Sequence, residues 1–242
     1  MQLDRSTSTA LRPIRALRGL ATVIRDPEQT EAGAIMVGSL TGRSWQRHFE
    51  RFAADPMGAR ILAEERRLEQ VLLDRDGLAA LPAGSLGRAY FEWTRDEGID
   101  AAGLLDITHD ALPGSDFSPG CDLFARRERV AHDLWHVVSG YGRDLLGEAA
   151  LLHMMWLQTR NTGLILPTLL SSLAHMFDGA GRRVIREARR RARTCVWLPA
   201  QDWEALLEAP LTVVRETLKL GEPPVYTPEY QRQRPRLAGA RS

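Results

Sequence analysis

Lysine is almost missing from this chain: of 32 basic residues, 31 are arginine and Lys219 is the only lysine. With 31 acids the formal net charge is only +1, so composition leaves no electrostatic footprint for nucleic acid. Cysteine is scarce as well. Cys121 and Cys195 cannot build a disulfide framework, and they point to a reducing compartment. No secretory signal is expected, because residues 1–25 contain no continuous apolar core. Those residues do hold Arg5, Arg12, Arg15, Arg18 and Arg25 with Asp4 as their only acid, which superficially resembles a transit peptide. The spacing of Leu11, Ile14, Leu17, Leu20 and Ile24 fits a first amphipathic helix better. The expectation is a cytoplasmic protein, peripheral where it meets the inner face of a membrane. Period-two alternation long enough for a sheet is absent, and so are internal repeats and low-complexity segments. The longest apolar stretch, Leu164 to Phe177, is broken by Thr168, Ser171, Ser172 and His175 and contains Pro167. It falls short of the roughly 20 residues a bilayer span needs, and reads as a buried core helix or as a lipid-facing wall.

What is present reads as helix after helix. A chain of 242 residues can bury a substantial core. The expected fold is all-α: a single-domain multi-helix bundle over residues 1–221, then a Pro/Arg-rich tail at 222–242, extended or disordered. Pro27 opens a second segment, and Trp45, Phe49 and Phe52 share one face of a third. Pro56 starts a helix running to about Leu73, and Ser85 caps Leu86 to Glu97. After a turn-rich stretch at 110–121, Asp122 is placed as the cap of a helix that carries the most informative residues in the chain.

Those residues are His132, Asp133 and His136, followed by Ser139-Gly140-Tyr141-Gly142 and then Glu148. His132 and His136 are four apart, so on a helix they lie one turn above each other, about 40° apart around the axis. That spacing offers two imidazoles to one metal ion. Asp133 lies about 100° from His132 and reaches the same ion only from the rim. A straight helix would carry Glu148 about 18 Å from His136, so it joins the cluster only if the chain bends. Two glycines supply the bend. The reading is a metal site at a helix–Gly turn–helix, with His132, Asp133, His136 and Glu148 as ligands. The plain alternative is two ordinary histidines on a helix. Cys121 is a further thiol near the site, read as inert.

His-Asp-x-x-His, eleven residues, then Glu is the signature of the coenzyme Q biosynthesis protein four family, which this chain resembles. Its flanks are similar too: Arg127-Glu128, Trp135-His136-Val137, and Gly147-Glu148-Ala149-Ala150. So are Asp26-Pro27, Asp55-Pro56-x-Gly58-x-Arg60, Ser85-Leu86-Gly87-Arg88-Ala89-Tyr90, Asp202-Trp203-Glu204, and Pro210-Leu211 with Val214-Arg215. The resemblance implies ubiquinone biosynthesis, and within it a metal-dependent carboxy-lyase. That enzyme would remove the ring carboxylate of a polyprenylated hydroxybenzoate, such as a 4-hydroxy-3-methoxy-5-polyprenylbenzoate, oxidatively and leave a hydroxyl at that carbon. Zinc is the metal by resemblance, with iron and manganese open, because zinc has no redox change and two His plus a carboxylate is also a non-haem iron pattern. The implied partners are the polyprenylated lipid, other quinone-biosynthesis enzymes and the membrane surface, with a homodimer also open and no nucleic acid.

Helix geometry suggests neighbours for the site. Glu128, four before His132, is expected to accept that ring's free N–H, and Arg129 to meet a substrate carboxylate. Leu134, Val138, Met155 and Trp156 are expected to line the lipid tail. Arg182, Arg186, Arg189, Arg190 and Arg193 form a basic stripe, open between solvent, an acidic partner and anionic lipid. Two other functions compete. One is a non-catalytic, polyprenyl-binding organiser of a quinone-biosynthesis complex. The other is an HD-type phosphohydrolase, which would need an upstream ligand such as His109 and does not explain His136 and Glu148.

Overall fold

The computed structural model describes residues 11–25, 30–99 and 118–228. Asp26-Pro27, His109 and the tail beyond 228 lie outside the described residues, as does the turn-rich stretch up to 117. The described residues are helical, with one isolated antiparallel bridge between Ser85 and Pro210 and no sheet. This is the expected all-α, multi-helix domain.

In chain order the helices are α1 (Pro13–Arg25), α2 (Thr30–Thr41), α3 (Arg43–Ala54), α4 (Pro56–Ala63), α5 (Leu68–Leu73), α6 (Arg75–Ala80) and α7 (Leu86–Asp96). They continue as α8 (Pro119–Ser139), α9 (Leu145–Thr159), α10 (Ile165–Ala174), α11 (Gly179–Thr194), α12 (Trp203–Leu206) and α13 (Leu211–Thr217). Two local signals act as read. Ser85 Oγ accepts from the Arg88 N–H at the start of α7, and Asp55 caps α4 with Pro56 in its first turn. Two do not. The helix expected from Pro56 to Leu73 breaks where Glu65 takes a positive φ of 49°, leaving α4 and α5. Asp122 is not the cap of α8: Ser118 holds that position, and Asp122 pairs one turn along with Arg126 at 2.9 Å.

The core is built around α8. Leu134, Trp135 and Val138 from α8 pack with Tyr90 of α7, Leu146, Leu151 and Met154 of α9, Ala188 of α11 and Val214 of α13. A second aromatic cluster closes the N-terminal end of α8. There the Phe124 ring lies 4.7 Å from Phe52, 5.6 Å from Phe49 and 5.1 Å from Trp45. Cys121 is buried in this cluster, and burial pushes its thiol up, which is the inert reading.

Two apolar faces are turned outward. In α1 the small residues Ala16 and Gly19 are buried against α2, while Ile14 and Leu17, with Leu11 just before the helix, are exposed. In α10 the buried side chain is Thr168, whose hydroxyl donates to the Leu164 carbonyl at 2.8 Å. Leu169, Leu173 and Phe177 are 62 %, 60 % and 88 % exposed. The core-helix reading of Leu164 to Phe177 is therefore corrected: a back-bonded threonine lets α10 lie on its polar side.

Candidate metal centre

The motif helix is built to stop where the motif needs it. Gly140 takes a left-handed φ of 76° and donates its N–H to the His136 carbonyl at 2.9 Å, ending α8. The next three carbonyls lose their helical partners, and two arginines from later in the chain take them. Arg215 donates Nη2 to Val137 O and Nε to Val138 O, both at 3.0 Å. Arg191 donates Nη1 to Ser139 O at 2.8 Å and Nε to Leu220 O at 2.9 Å. Both guanidiniums also offset the negative end of the helix dipole. Beyond the turn Asp144 opens α9, with Oδ1 accepting from the N–H groups of Leu146 at 3.1 Å and Gly147 at 3.2 Å. Glu148, in the first turn of α9, returns to the α8 face.

The outcome is a cluster. His132, His136 and Glu148 each offer one ligand atom, all within 4.8 Å of one another. Glu148 Oε1 stands 3.3 Å from His136 Nε2, and Oε2 stands 3.9 Å from His132 Nε2. The other ring nitrogens are committed. His136 Nδ1 donates to the Tyr141 carbonyl at 2.8 Å, and His132 Nδ1 donates to Asp133 Oδ1 at 3.2 Å. A carbonyl and a carboxylate accept only, so each ring keeps a proton on Nδ1, and the Nε2 facing Glu148 is a lone pair in the neutral ring and an N–H in the imidazolium. His136 Nε2 is buried without a hydrogen bond, and Trp93 stacks on the ring with centroids 5.3 Å apart. An unsatisfied buried polar atom costs about 1–3 kcal/mol. Two imidazole nitrogens and one carboxylate with room for further ligands are a donor set a divalent cation satisfies. The residues present therefore fit a metal.

Their electrostatics agree. Burial opposes the His136 imidazolium, but the Glu148 carboxylate outweighs it and holds the group above the ordinary histidine range. Burial likewise pushes Glu148 up, and the charge of His136, with His132 behind it, pulls it down further, to about 2.

Other expected residues sit elsewhere. Asp133 is buried but not among the converging ligand atoms; about 100° off the ligand face, it holds His132 from behind. Glu128 does not reach His132. Side chains on a helix lean toward its N-terminus, and Glu128 Oε2 meets His48 Nε2 of α3 at 2.8 Å instead. Arg129 is half-buried; burial lowers its pKa and the Asp133 charge opposes that. Leu134 and Val138 are fully buried in the main core, because a step of two residues turns them about 200° from the histidines. Met155 packs on the same core, and Trp156 is half-buried with the Arg160 guanidinium 6.0 Å from its ring. Sequence reasoning missed the roles of Arg191, Arg215, Trp93 and His48. Arg215 stood inside a matched motif, which was the one available signal.

The arrangement has known relatives. Residues 13–224 match the family described as "Coenzyme Q (ubiquinone) biosynthesis protein Coq4". The chain belongs to the Coq4 family. A Coq4 relative from Danio rerio, named "Ubiquinone biosynthesis protein COQ4 homolog, mitochondrial", is 27% identical over 232 residues, covering 90% of this chain and 80% of its own. The Yarrowia lipolytica protein, "Ubiquinone biosynthesis protein COQ4, mitochondrial", is 28% identical over 72% of this chain, and the match spans 66% of that protein. The match to the Eremothecium gossypii protein spans 52% of its length. A crystal structure of a Nostoc punctiforme protein shares the fold, with a TM-score of 0.64 at 19% identity over 88% of this chain and 100% of that one. The ubiquinone-biosynthesis role of the Coq4 family stands for this chain as a family property. The relatives' names overturn the cytoplasmic expectation, since those proteins are mitochondrial. That expectation rested on two cysteines and on reading the Arg-rich N-terminus as a helix alone. An amphipathic Arg-rich helix is also what a targeting segment looks like, so finding the helix did not exclude the other.

Proposed function

We propose that this protein is a metal-dependent oxidative decarboxylase acting on a polyprenylated hydroxybenzoate in ubiquinone biosynthesis. The observation that carries the reading is the pair of Nε2 atoms aimed at the Glu148 carboxylate, with both Nδ1 protons already committed. In the reaction the bond from ring carbon to carboxylate breaks, carbon dioxide leaves, and a hydroxyl takes its place. The substrate loses two electrons, which dioxygen accepts to become hydrogen peroxide, and water supplies the hydroxyl oxygen, so that acid, dioxygen and water give phenol, carbon dioxide and peroxide. His132, His136 and Glu148 would hold a divalent cation, which would supply Lewis acidity toward substrate oxygens. Asp133 accepts from His132 Nδ1–H and so fixes the tautomer that leaves Nε2 for the ion. The Tyr141 carbonyl does the same for His136, and Trp93 shields that ring from water on one side.

The lipid part of the substrate needs an apolar surface, since each buried CH₂ contributes roughly 0.8 kcal/mol. We propose the outward Leu169 and Leu173 of α10, with Phe177 in the bend that follows it, as the face that meets the lipid phase. Next to it, Arg189 Nη2 of α11 donates to Ser172 Oγ at 3.0 Å, and Arg182 donates to the Met176 carbonyl. Arg182 and Arg189 thus stand at the edge of the apolar row, a pairing that suits anionic lipid. No helix among the described residues is long and apolar enough to cross a membrane, so this contact is peripheral.

The test is release of labelled carbon dioxide from a ring-carboxyl-labelled polyprenyl-hydroxybenzoate in air. Turnover by the wild type, lost in His132→Ala while far-UV circular dichroism is unchanged, supports the decarboxylase. A wild type that binds the lipid and releases no label leaves the organiser role instead.

A further inference from the structure

Residues 222–228 were expected to begin an extended or disordered tail. They carry no regular secondary structure, and Pro223 and Tyr226 among them lie against the Gly turn that separates the two ligand-bearing helices. The Tyr226 hydroxyl accepts from the Gly142 N–H at 2.8 Å and donates to Asp144 Oδ2 at 2.8 Å. Pro223 covers Gly140 so closely that a Cβ there would stand 2.7 Å from Pro223 Cβ. A Cβ on Gly147 would stand 2.5 Å from the Tyr226 hydroxyl and 2.3 Å from the Gly142 carbonyl, so the turn, α9 and the strap meet without room for a side chain.

The phenol joins the two ends of a turn that serves both sides of the metal centre. At one end the Tyr141 carbonyl, the residue before Gly142, holds His136 Nδ1 at 2.8 Å. At the other, Asp144 uses Oδ1 to cap α9, and its carbonyl accepts from the Glu148 N–H at 2.8 Å. Moving Gly142 against Asp144 therefore shifts His136 relative to Glu148. Metal–ligand distances near 2 Å leave small tolerance for such a shift.

We infer that Tyr226 is a positioning residue of the metal centre: it sets the separation of His136 and Glu148 by bridging Gly142 and Asp144. The inference rests on the metal reading above. Tyr226 is not itself a ligand, so removing its hydroxyl alters coordination without removing a donor.

The experiment is titration of Co²⁺ into wild type, Tyr226→Phe, Asp144→Asn, the double variant, Val225→Ala and His132→Ala. Affinity and the visible ligand-field spectrum are read alongside circular dichroism. Tyr226→Phe keeps the ring and deletes both hydrogen bonds. Its Co²⁺ affinity is expected to fall at least about tenfold with a changed band shape, a signature that loosened packing alone does not produce. Val225 is fully exposed, and Val225→Ala is expected to match wild type. Asp144→Asn breaks the same bond from the other side, so the double variant should lose no more than the worse single one; full additivity contradicts the bridge. Wild-type affinity and spectrum in Tyr226→Phe overturn the positioning role while leaving the metal site standing. Equal Co²⁺ binding by wild type and His132→Ala overturns the metal reading and the positioning role together.

Discussion

At the scale of the residue, His132 and His136 are prepared through the atoms that do not face the metal. Asp133 is the sharpest case, because its sequence position suggested a ligand and its geometry makes it the partner of His132 Nδ1. Asp133→Asn retains an acceptor and removes the carboxylate charge from the His132 Nδ1–H hydrogen bond. Metal affinity is expected to fall about 10- to 100-fold with the fold intact, measured by competition with a chelating dye. The pH dependence has a definite sign. Metal must displace a proton from His136, whose imidazolium is favoured by Glu148. Affinity should therefore drop as pH falls from 8 to 6, approaching about tenfold per unit for one proton; a flat profile contradicts the pairing. The metal-free protein gives a second check. Glu148, at about 2 in the fold against an ordinary 4.5, contributes stability that is present above the ordinary value and lost as pH falls through the lower one. His136, raised in the fold, contributes below about 6.5 and loses it as pH rises through its folded value. Glu148→Gln should thus lower the Tm of metal-free protein most near pH 5–6 and least near pH 9.

At the scale of the element, the decisive feature is how α8 ends. Spacing alone made the turn at Gly140 legible, because Glu148 could not join His136 along a straight helix. What closes that end was not legible: Arg191, lying among the arginines of the basic stripe without belonging to it, is buried and spent on the Ser139 and Leu220 carbonyls. Arg191→Ala leaves buried carbonyls without donors at about 1–3 kcal/mol each. Thermal denaturation is expected to show a Tm lower by roughly 5–10 °C for a chain of this size, whereas exposed Arg193→Ala should leave it unchanged. The same limit applied to Glu128. Helical spacing put it near His132, but the direction of the side chain and the approach of His48 from α3 decide its partner. Pattern finds which residues share a helix face. Which face points inward depends on neighbours far along the chain.

At the scale of the whole molecule, α1 and α10 show that point most plainly. Their apolar spacing was read correctly as helical, while the leucines it marks lie outside and small or hydroxyl residues pack inside. The outward row of α10 beside the basic edge of α11 predicts binding to vesicles containing anionic lipid. Leu169→Glu with Leu173→Glu should abolish co-sedimentation and leave the circular dichroism unchanged; equal binding to neutral and anionic vesicles would remove the role of the arginines.

The account as a whole turns on whether three side chains from two helices hold one ion. Elemental analysis of protein purified without added metal measures this directly, for the wild type and for His132→Ala and His136→Ala. The account predicts about one divalent ion per chain in the wild type, and its loss in both variants with helix content retained. A helical wild type without metal, or variants that keep the full complement, would contradict it.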